Sequence, residues 1–80
     1  MKMNPNEAIK VLADEAEEKG GTANDHSGTV RSIVESYGLG FNAWFCVCCE
    51  LADRKAQRLG FENQAAMVLA GMRPLMRECR

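Results

Sequence analysis

Apolar residues recur with the spacing of an amphipathic helix near the start of the chain. Asn4 precedes Pro5 and stands three positions before Glu7, the arrangement of an N-cap with a capping box, and Gly20-Gly21 supplies a stop. The pattern predicts a first helix that runs from this cap to Lys19. Its apolar stripe consists of Ala8, Ile9, Leu12, Ala13 and Ala16.

A polar segment, GGTANDHSG, follows at about 20–28 and is rich in turn-forming residues, so we expect an exposed loop there. Ser27 or Thr29 is then positioned to cap a short second helix. Gly38-Leu39-Gly40 ends that helix. Its apolar positions are Val30, Ile33, Val34 and Tyr37.

The longest predicted helix begins with Asn42 as its N-cap and ends near Leu59, where Gly60 follows. A buried strand over Trp44 to Cys49 is the competing interpretation, because aromatic and cysteine-rich runs also suit a sheet. The residues expected on the buried face of the helix are Phe41, Trp44, Phe45, Cys48, Leu51, Ala52, Ala56 and Leu59.

A fourth helix is predicted from Glu62 to Met72, and Pro74 either kinks it or begins a last turn. No internal repeat interrupts the pattern. The sequence therefore predicts an all-α protein, in which residues 1–80 form a single small domain, a bundle of four to five helices.

Composition and charge narrow the classes of function. The chain is 46% hydrophobic and 26% charged, as a folded domain is, and its net charge of -1 argues against a strongly cationic protein of the kind that binds nucleic acid or membranes by charge. Eighty residues bury only about 60% of the unfolded surface, so a partner or a second copy would add stability. No secretory signal or membrane span is recognisable, which predicts a cytoplasmic protein without a membrane role.

The four cysteines invite a metal or redox interpretation, which their spacing disfavours. Cys46, Cys48 and Cys49 point in different directions on a helix and cannot converge on one tetrahedral ion, and Cys79 is distant in sequence. We expect buried thiols that pack as small hydrophobes, with no metal and no cofactor. Asp25-His26-Ser27 is read as a solvated turn and not as a catalytic set, so no catalytic residue is predicted and the protein is expected not to be an enzyme.

Acidic residues cluster on the first helix and in the loop after it. Residues 1–40 carry four Lys/Arg and seven Asp/Glu, a balance of -3, whereas residues 41–80 carry six and four, a balance of +2. Such a cluster is either the solvated face of a helix or a surface for a basic partner. The candidate partner-binding residues are Asp14, Glu15, Glu17, Glu18 and Asp25.

The stretch from Lys55 to Phe61, with Ala66 and Leu69 after it, resembles the helix-turn-helix family of DNA-binding domains. The resemblance rests on the Ala-x-x-x-Gly spacing with apolar residues around the glycine and covers about a quarter of the chain, although Lys55 stands where the family usually has an apolar residue. It implies DNA binding through the segment from Arg54 to Arg73. The candidate contacts are Arg54, Lys55, Arg58, Asn63, Gln64 and Arg73.

Ala65 to Met72 has no polar side chain for two helical turns, and Ala43 to Cys49 has none for nearly two. Helices that are apolar all round must be covered all round, either by each other or by a second molecule. Flexible methionines favour the second alternative for the C-terminal segment, and a homodimer is expected. The candidate self-association residues are Met67, Val68, Met72, Leu75 and Met76.

The leading hypothesis is a small non-enzymatic protein that acts by protein–protein interaction, with an acidic face for its partner. Compact proteins of this kind occur among phage and plasmid accessory factors that inhibit host machinery, including anti-CRISPR proteins, although no motif here identifies such a family. The alternative is a small DNA-binding transcriptional regulator. A metal or redox module is the third.

Overall fold

A computed structural model of the chain describes residues 4–71, and over that range the fold is all-α, as the sequence predicts. The four helices are α1 (Pro5–Glu18), α2 (Thr29–Ser36), α3 (Phe41–Arg58) and α4 (Gln64–Leu69). The alternative strand over residues 44–49 is not formed, because those residues belong to α3. α3 contacts each of the other three helices, so it is the element on which the described part of the chain is assembled.

The ends of α1 follow the sequence prediction. Asn4 Oδ1 accepts a hydrogen bond from the Glu7 backbone N–H at 2.9 Å, and Asn4 Nδ2 donates to Glu7 Oε1 at 2.9 Å. At the other end Gly20 takes a left-handed φ of 80°, and the Gly21 N–H donates to the Ala16 carbonyl at 2.7 Å. A Cβ atom at Gly21 would lie 3.0 Å from that carbonyl oxygen, so the two glycines are required for different reasons.

The N-terminus of α2 is capped differently from the prediction. The hydroxyls of Ser27 and Thr29 bond to each other at 2.7 Å. The carboxylate of Asp25 takes the capping role instead, since Oδ1 accepts from the Val30 N–H at 2.8 Å and Oδ2 from the Arg31 N–H at 3.0 Å. A loop residue four positions before the helix thus satisfies two of its free N–H groups.

α3 begins two residues earlier than expected, with Gly40 and not Asn42 as its N-cap. It ends at Arg58, close to the predicted Leu59, and Gly60 follows with a left-handed φ of 97°.

α4 is shorter than the predicted helix from Glu62 to Met72. Asn63 caps it by accepting a hydrogen bond from the Ala66 N–H at 2.8 Å, and Gly71 follows its end with a φ of 91°. The further turn proposed around Pro74 lies outside the described residues.

The main buried cluster lies where α1, α2 and α3 meet. Alanines on α1 let the helices approach closely, since Ala13 and Ala16 are completely buried. The members of this cluster are Leu12, Ala13, Ala16, Val30, Ile33, Val34, Val47, Cys48 and Leu51.

Three side chains that the helical pattern assigned to buried faces are exposed. Tyr37, Phe41 and Leu59 all lie at or just beyond helix ends. Conversely, Val47 is completely buried although it was not among the residues expected on the buried face of α3. Periodicity assigns a residue to a face, but the coverage of that face depends on how far the neighbouring helix extends.

No helix among residues 4–71 combines the length and the apolar character needed to cross a bilayer.

Candidate protein-binding surface

The acidic residues of α1 are engaged mainly by the chain itself. The central group is Arg54 on α3, whose side chain is only 18% exposed. Its Nη1 donates to Asp14 Oδ1 at 2.7 Å and to Glu17 Oε1 at 2.8 Å, and its Nε donates to Glu50 Oε2 at 2.9 Å. Arg58 adds a further ion pair to Glu17. We call these five residues the ion-pair cluster.

The ion-pair cluster shifts the pKa of two of its members, Glu17 and Arg54, in the directions expected for paired charges. The hydrogen bond from Arg58, followed by that from Arg54, holds the pKa of Glu17 below its ordinary value of 4.5 despite partial burial. Burial alone would lower the pKa of Arg54, but its hydrogen bonds to Glu50, Glu17 and Asp14 outweigh burial and raise it. Glu17 and Arg54 therefore carry their charges at neutral pH.

Two further members of the predicted acidic face also have internal partners. Glu15 Oε1 accepts a hydrogen bond from the Tyr37 hydroxyl at 2.7 Å, and Glu15 Oε2 accepts one from Lys19 at 3.1 Å. Asp25, half-buried, accepts from the Trp44 indole N–H at 2.8 Å in addition to capping α2. Asp25 is thus a structural residue that ties the loop to α2 and α3. Glu18, the last candidate of the acidic face, is exposed on α1.

The candidate DNA contacts are not gathered on one open surface. Arg54 and Arg58 point to carboxylates of α1. The Asn63 side chain caps α4, and Gln64 is buried, with its backbone N–H donating to Asp53 Oδ1 at 2.9 Å. Lys55 and Arg58 are both exposed, and Arg73 lies outside the described residues.

The candidate self-association residues divide in a similar way. Met67 is 1% exposed and packs inside the protein, where it cannot contact a second molecule. Val68 is at the surface. Leu69, which was not among the candidates, is 88% exposed. The remaining candidates lie outside the described residues: Met72, Leu75 and Met76.

The aromatic side chain with the greatest exposed fraction lies where α2 leads into α3. Phe41 is 70% exposed, and Leu39 beside it in the chain is 42% exposed. The Phe41 ring packs on Trp44 with a centroid distance of 5.2 Å and on Phe45 at 6.3 Å. Because Trp44 is in turn hydrogen-bonded to Asp25, the Phe41 ring rests on an anchored support.

An open pocket of about 240 Å³ adjoins the Phe41 ring. Its floor and walls come from the exposed side of α2, the turn after it and the first turn of α3. We call it the α2–α3 pocket, and its lining consists of Arg31, Val34, Glu35, Leu39, Gly40, Phe41 and Trp44. It combines apolar walls with one cation, Arg31, and one anion, Glu35.

Sequence reasoning did not identify this surface. The helical spacing of apolar residues placed Phe41 on the buried face of α3. The residue is the first of that helix and follows Gly40 directly. The available signal was its position: an aromatic residue that immediately follows a Gly-Leu-Gly turn lies at the edge of the core, where a neighbouring helix need not cover it.

The cysteines on α3 lie in different environments. Cys48 is completely buried, and this burial, with a smaller effect of the Asp25 charge, raises the pKa of its thiol to about 12. Cys46 is exposed. No group of three or more metal-ligating side chains comes together within residues 4–71, and Cys79 lies outside that range.

Comparisons with known proteins give no match: no family model fits the chain, and no curated protein and no solved structure matches it.

Proposed function

We propose that this protein is a non-enzymatic binding protein and that it engages another protein molecule through Phe41 and the α2–α3 pocket. The observation that carries the proposal is the exposure of the Phe41 ring, 70%, on top of a fixed aromatic support. A large apolar ring at the surface is unfavourable in water, and its burial against a partner recovers that free energy.

The arrangement also reduces the entropic cost of binding. The Phe41 ring already packs on Trp44 and Phe45, so little side-chain freedom remains to be lost when a partner covers it. Buried aromatic anchors of this kind contribute most of the binding energy in many interfaces. The contact energy is therefore expected to come from apolar burial.

The ion-pair cluster also supports binding through apolar contacts and not through charge. Asp14 and Glu17 are neutralised by Arg54 and Arg58, which leaves a smaller acidic surface for a basic partner than the composition of α1 indicates. We expect binding to depend weakly on ionic strength, since salt screens exposed charges and leaves apolar contacts intact.

Site-specific photocrosslinking tests the proposal. A benzophenone amino acid placed at position 41 is expected to give a discrete adduct with a partner protein in the organism that encodes this chain. The same group at Lys10, an exposed position on α1, serves as the matched control. Adducts at position 10 with none at position 41 would contradict the proposal.

The finer proposal is an inhibitor of the phage or plasmid accessory type, such as an anti-CRISPR protein, that works in the cytoplasm by occupying a surface of its target. A small rigid module suits that mode of action. Expression of the chain in a strain with active CRISPR immunity is then expected to restore phage infection, and Phe41→Asp is expected to abolish the effect. Unimpaired immunity in the presence of the folded protein would rule out this target.

A further inference from the structure

We propose that the α2–α3 pocket docks a second copy of this chain, in a two-fold dimer in which α2 lies antiparallel to α2 of the second copy. The inference rests on the proposed function and names the partner. It places the dimer interface on α2 and the start of α3, and not on the apolar C-terminal segment.

The shape of the surface supports a second copy. At about 240 Å³ the pocket is smaller than the roughly 300–1,000 Å³ typical of small-molecule sites, and it is open to the surface, so it suits a protein side chain better than a ligand. The protruding Phe41 ring stands at its edge. In a two-fold interface the same patch serves both molecules, so a knob and a hollow on one face are what each copy needs from the other.

The charge pattern on α2 supports the same partner and fixes its orientation. Arg31 and Glu35 lie one helical turn apart on the exposed side, with Nε and Oε2 separated by 3.6 Å and side-chain exposures of 74% and 65%. When two such helices pack antiparallel about a two-fold axis midway between these residues, each Arg31 faces Glu35 of the second copy. Parallel packing would set like charges opposite each other, which is destabilising.

The free-energy balance assigns different roles to the two features. An exposed i,i+4 ion pair contributes little to a monomer, so exchanging the two intramolecular pairs of two monomers for two intermolecular pairs loses almost nothing. Burial of Leu39 and Phe41 supplies the affinity, because both are substantially exposed in the monomer. The charges supply orientation and specificity.

The exposed side of α1 does not have a charge pattern that would match itself in a second copy. Asp14, four positions after the exposed Lys10, is bonded to Arg54 of the same molecule. The other exposed carboxylates along α1 are Glu7 and Glu18. Two copies that met through α1 would bring these carboxylates together, and like charges across an interface disfavour association.

Charge-swap variants test the proposal, with sedimentation velocity as the measurement. The unmodified protein is expected to sediment as a dimer at micromolar to millimolar concentrations. R31E and E35R are each expected to weaken self-association by more than about tenfold, since each variant opposes like charges twice in the dimer. K10E makes the same charge change on α1 and is expected to dimerise normally.

Two mixed experiments make the test specific. An equimolar mixture of R31E and E35R is expected to form heterodimers, which native mass spectrometry distinguishes from homodimers by mass, because every cross-interface pair is then attractive. The double variant R31E/E35R is expected to dimerise like the unmodified chain. Circular dichroism on each variant shows whether its helices are intact.

The outcomes separate this inference from the proposed function. A monomer at all concentrations overturns the inference, and so does a dimer that is lost in Leu69→Asp but unchanged in R31E, E35R and Phe41→Asp. If the chain is monomeric and position 41 still crosslinks to another protein, the proposed function stands without the dimer. If position 41 gives neither a dimer nor an adduct, both proposals fail.

Discussion

Arg54 Nη1 on α3 lies 2.8 Å from Glu17 Oε1 on α1, and the same nitrogen lies 2.7 Å from Asp14 Oδ1. Arg54 is 37 positions from Glu17 and 40 positions from Asp14 in the sequence, so these contacts join two helices that are distant along the chain. The acidic excess of the first half of the chain and the basic excess of the second are thus partly complementary within one molecule. Arg54, a candidate contact for DNA, is thus paired with Asp14 and Glu17, which were candidates for binding a basic partner.

Arg54→Met is expected to destabilise the protein by about 2 kcal/mol, because three carboxylates lose a charge-assisted hydrogen bond while two of them, Glu17 and Glu50, remain partly buried. The control is Lys55→Met, which removes the adjacent exposed cation and is expected to change stability by less than about 0.5 kcal/mol. Urea unfolding followed by circular dichroism measures both. Equal stability of the two variants would mean that the ion-pair cluster contributes no net stability.

The lowered pKa of Glu17 predicts a loss of stability in acid. A carboxyl group whose folded pKa lies below its unfolded value stabilises the protein fully above the unfolded value, near 4.5, and this contribution is lost as the pH falls through the folded pKa. In Glu17→Gln the decline between neutral pH and pH values below 4.5 is expected to be shallower. Thermal unfolding across this range is the measurement, with Glu18→Gln as the control. A decline in Glu17→Gln as steep as in the unmodified protein would contradict the assignment.

Asp25→Asn is expected to cost about 2 kcal/mol, since an amide keeps only one acceptor oxygen for the three donors that Asp25 now satisfies. The emission of Trp44, the single tryptophan, is expected to shift in the native state as its indole loses a partner. In a Trp44→Phe background the cost of Asp25→Asn is expected to be smaller, which a double-mutant cycle quantifies. Strict additivity would show that the two side chains are not coupled. Asn24→Ala is the exposed control.

Tyr37 is the single tyrosine, so its titration can be followed by ultraviolet absorbance. The hydrogen bond to Glu15, and then the Glu15 charge, raise its pKa above the ordinary value of 10.0. A raised folded pKa means that the contact stabilises the protein below the unfolded value and is lost as the pH rises through the folded one. In Glu15→Gln the Tyr37 pKa is expected to return toward 10.0, and in Glu18→Gln it is expected to stay raised. The same titration curve in all three proteins would contradict the contact.

The thiols of α3 are expected to react at very different rates. Burial raises the pKa of Cys48 from 9.0 to about 12, which lowers its thiolate fraction at neutral pH about a thousandfold, and the side chain is also inaccessible. Iodoacetamide followed by peptide mass spectrometry is expected to label the exposed Cys46 in the native protein and Cys48 only after denaturation. Rapid labelling of Cys48 in native buffer would show that α3 opens or is packed differently.

Local physical chemistry determined the helices. The cap at Asn4, the glycine stop after α1 and most of the apolar stripes of α1 and α2 are each written in a few neighbouring residues, and these parts of the prediction are confirmed. Tyr37, the last position of the α2 stripe, is exposed. The predicted loop also contained the residue that holds it in place. Its composition showed that a turn was present, but not that Asp25 reaches both α2 and Trp44.

Only the tertiary structure decided which charges and which apolar residues remain available to a partner. Periodicity places Phe41 on the apolar side of α3, but whether another helix covers that position depends on where α2 and α1 end. The same limit applies to charge, because Arg54 meets Asp14 and Glu17 through contacts that no local pattern encodes. The sequence by itself determined where helices form, and the packing of α1 on α3 decided that Asp14 and Glu17 are paired with Arg54 within the protein.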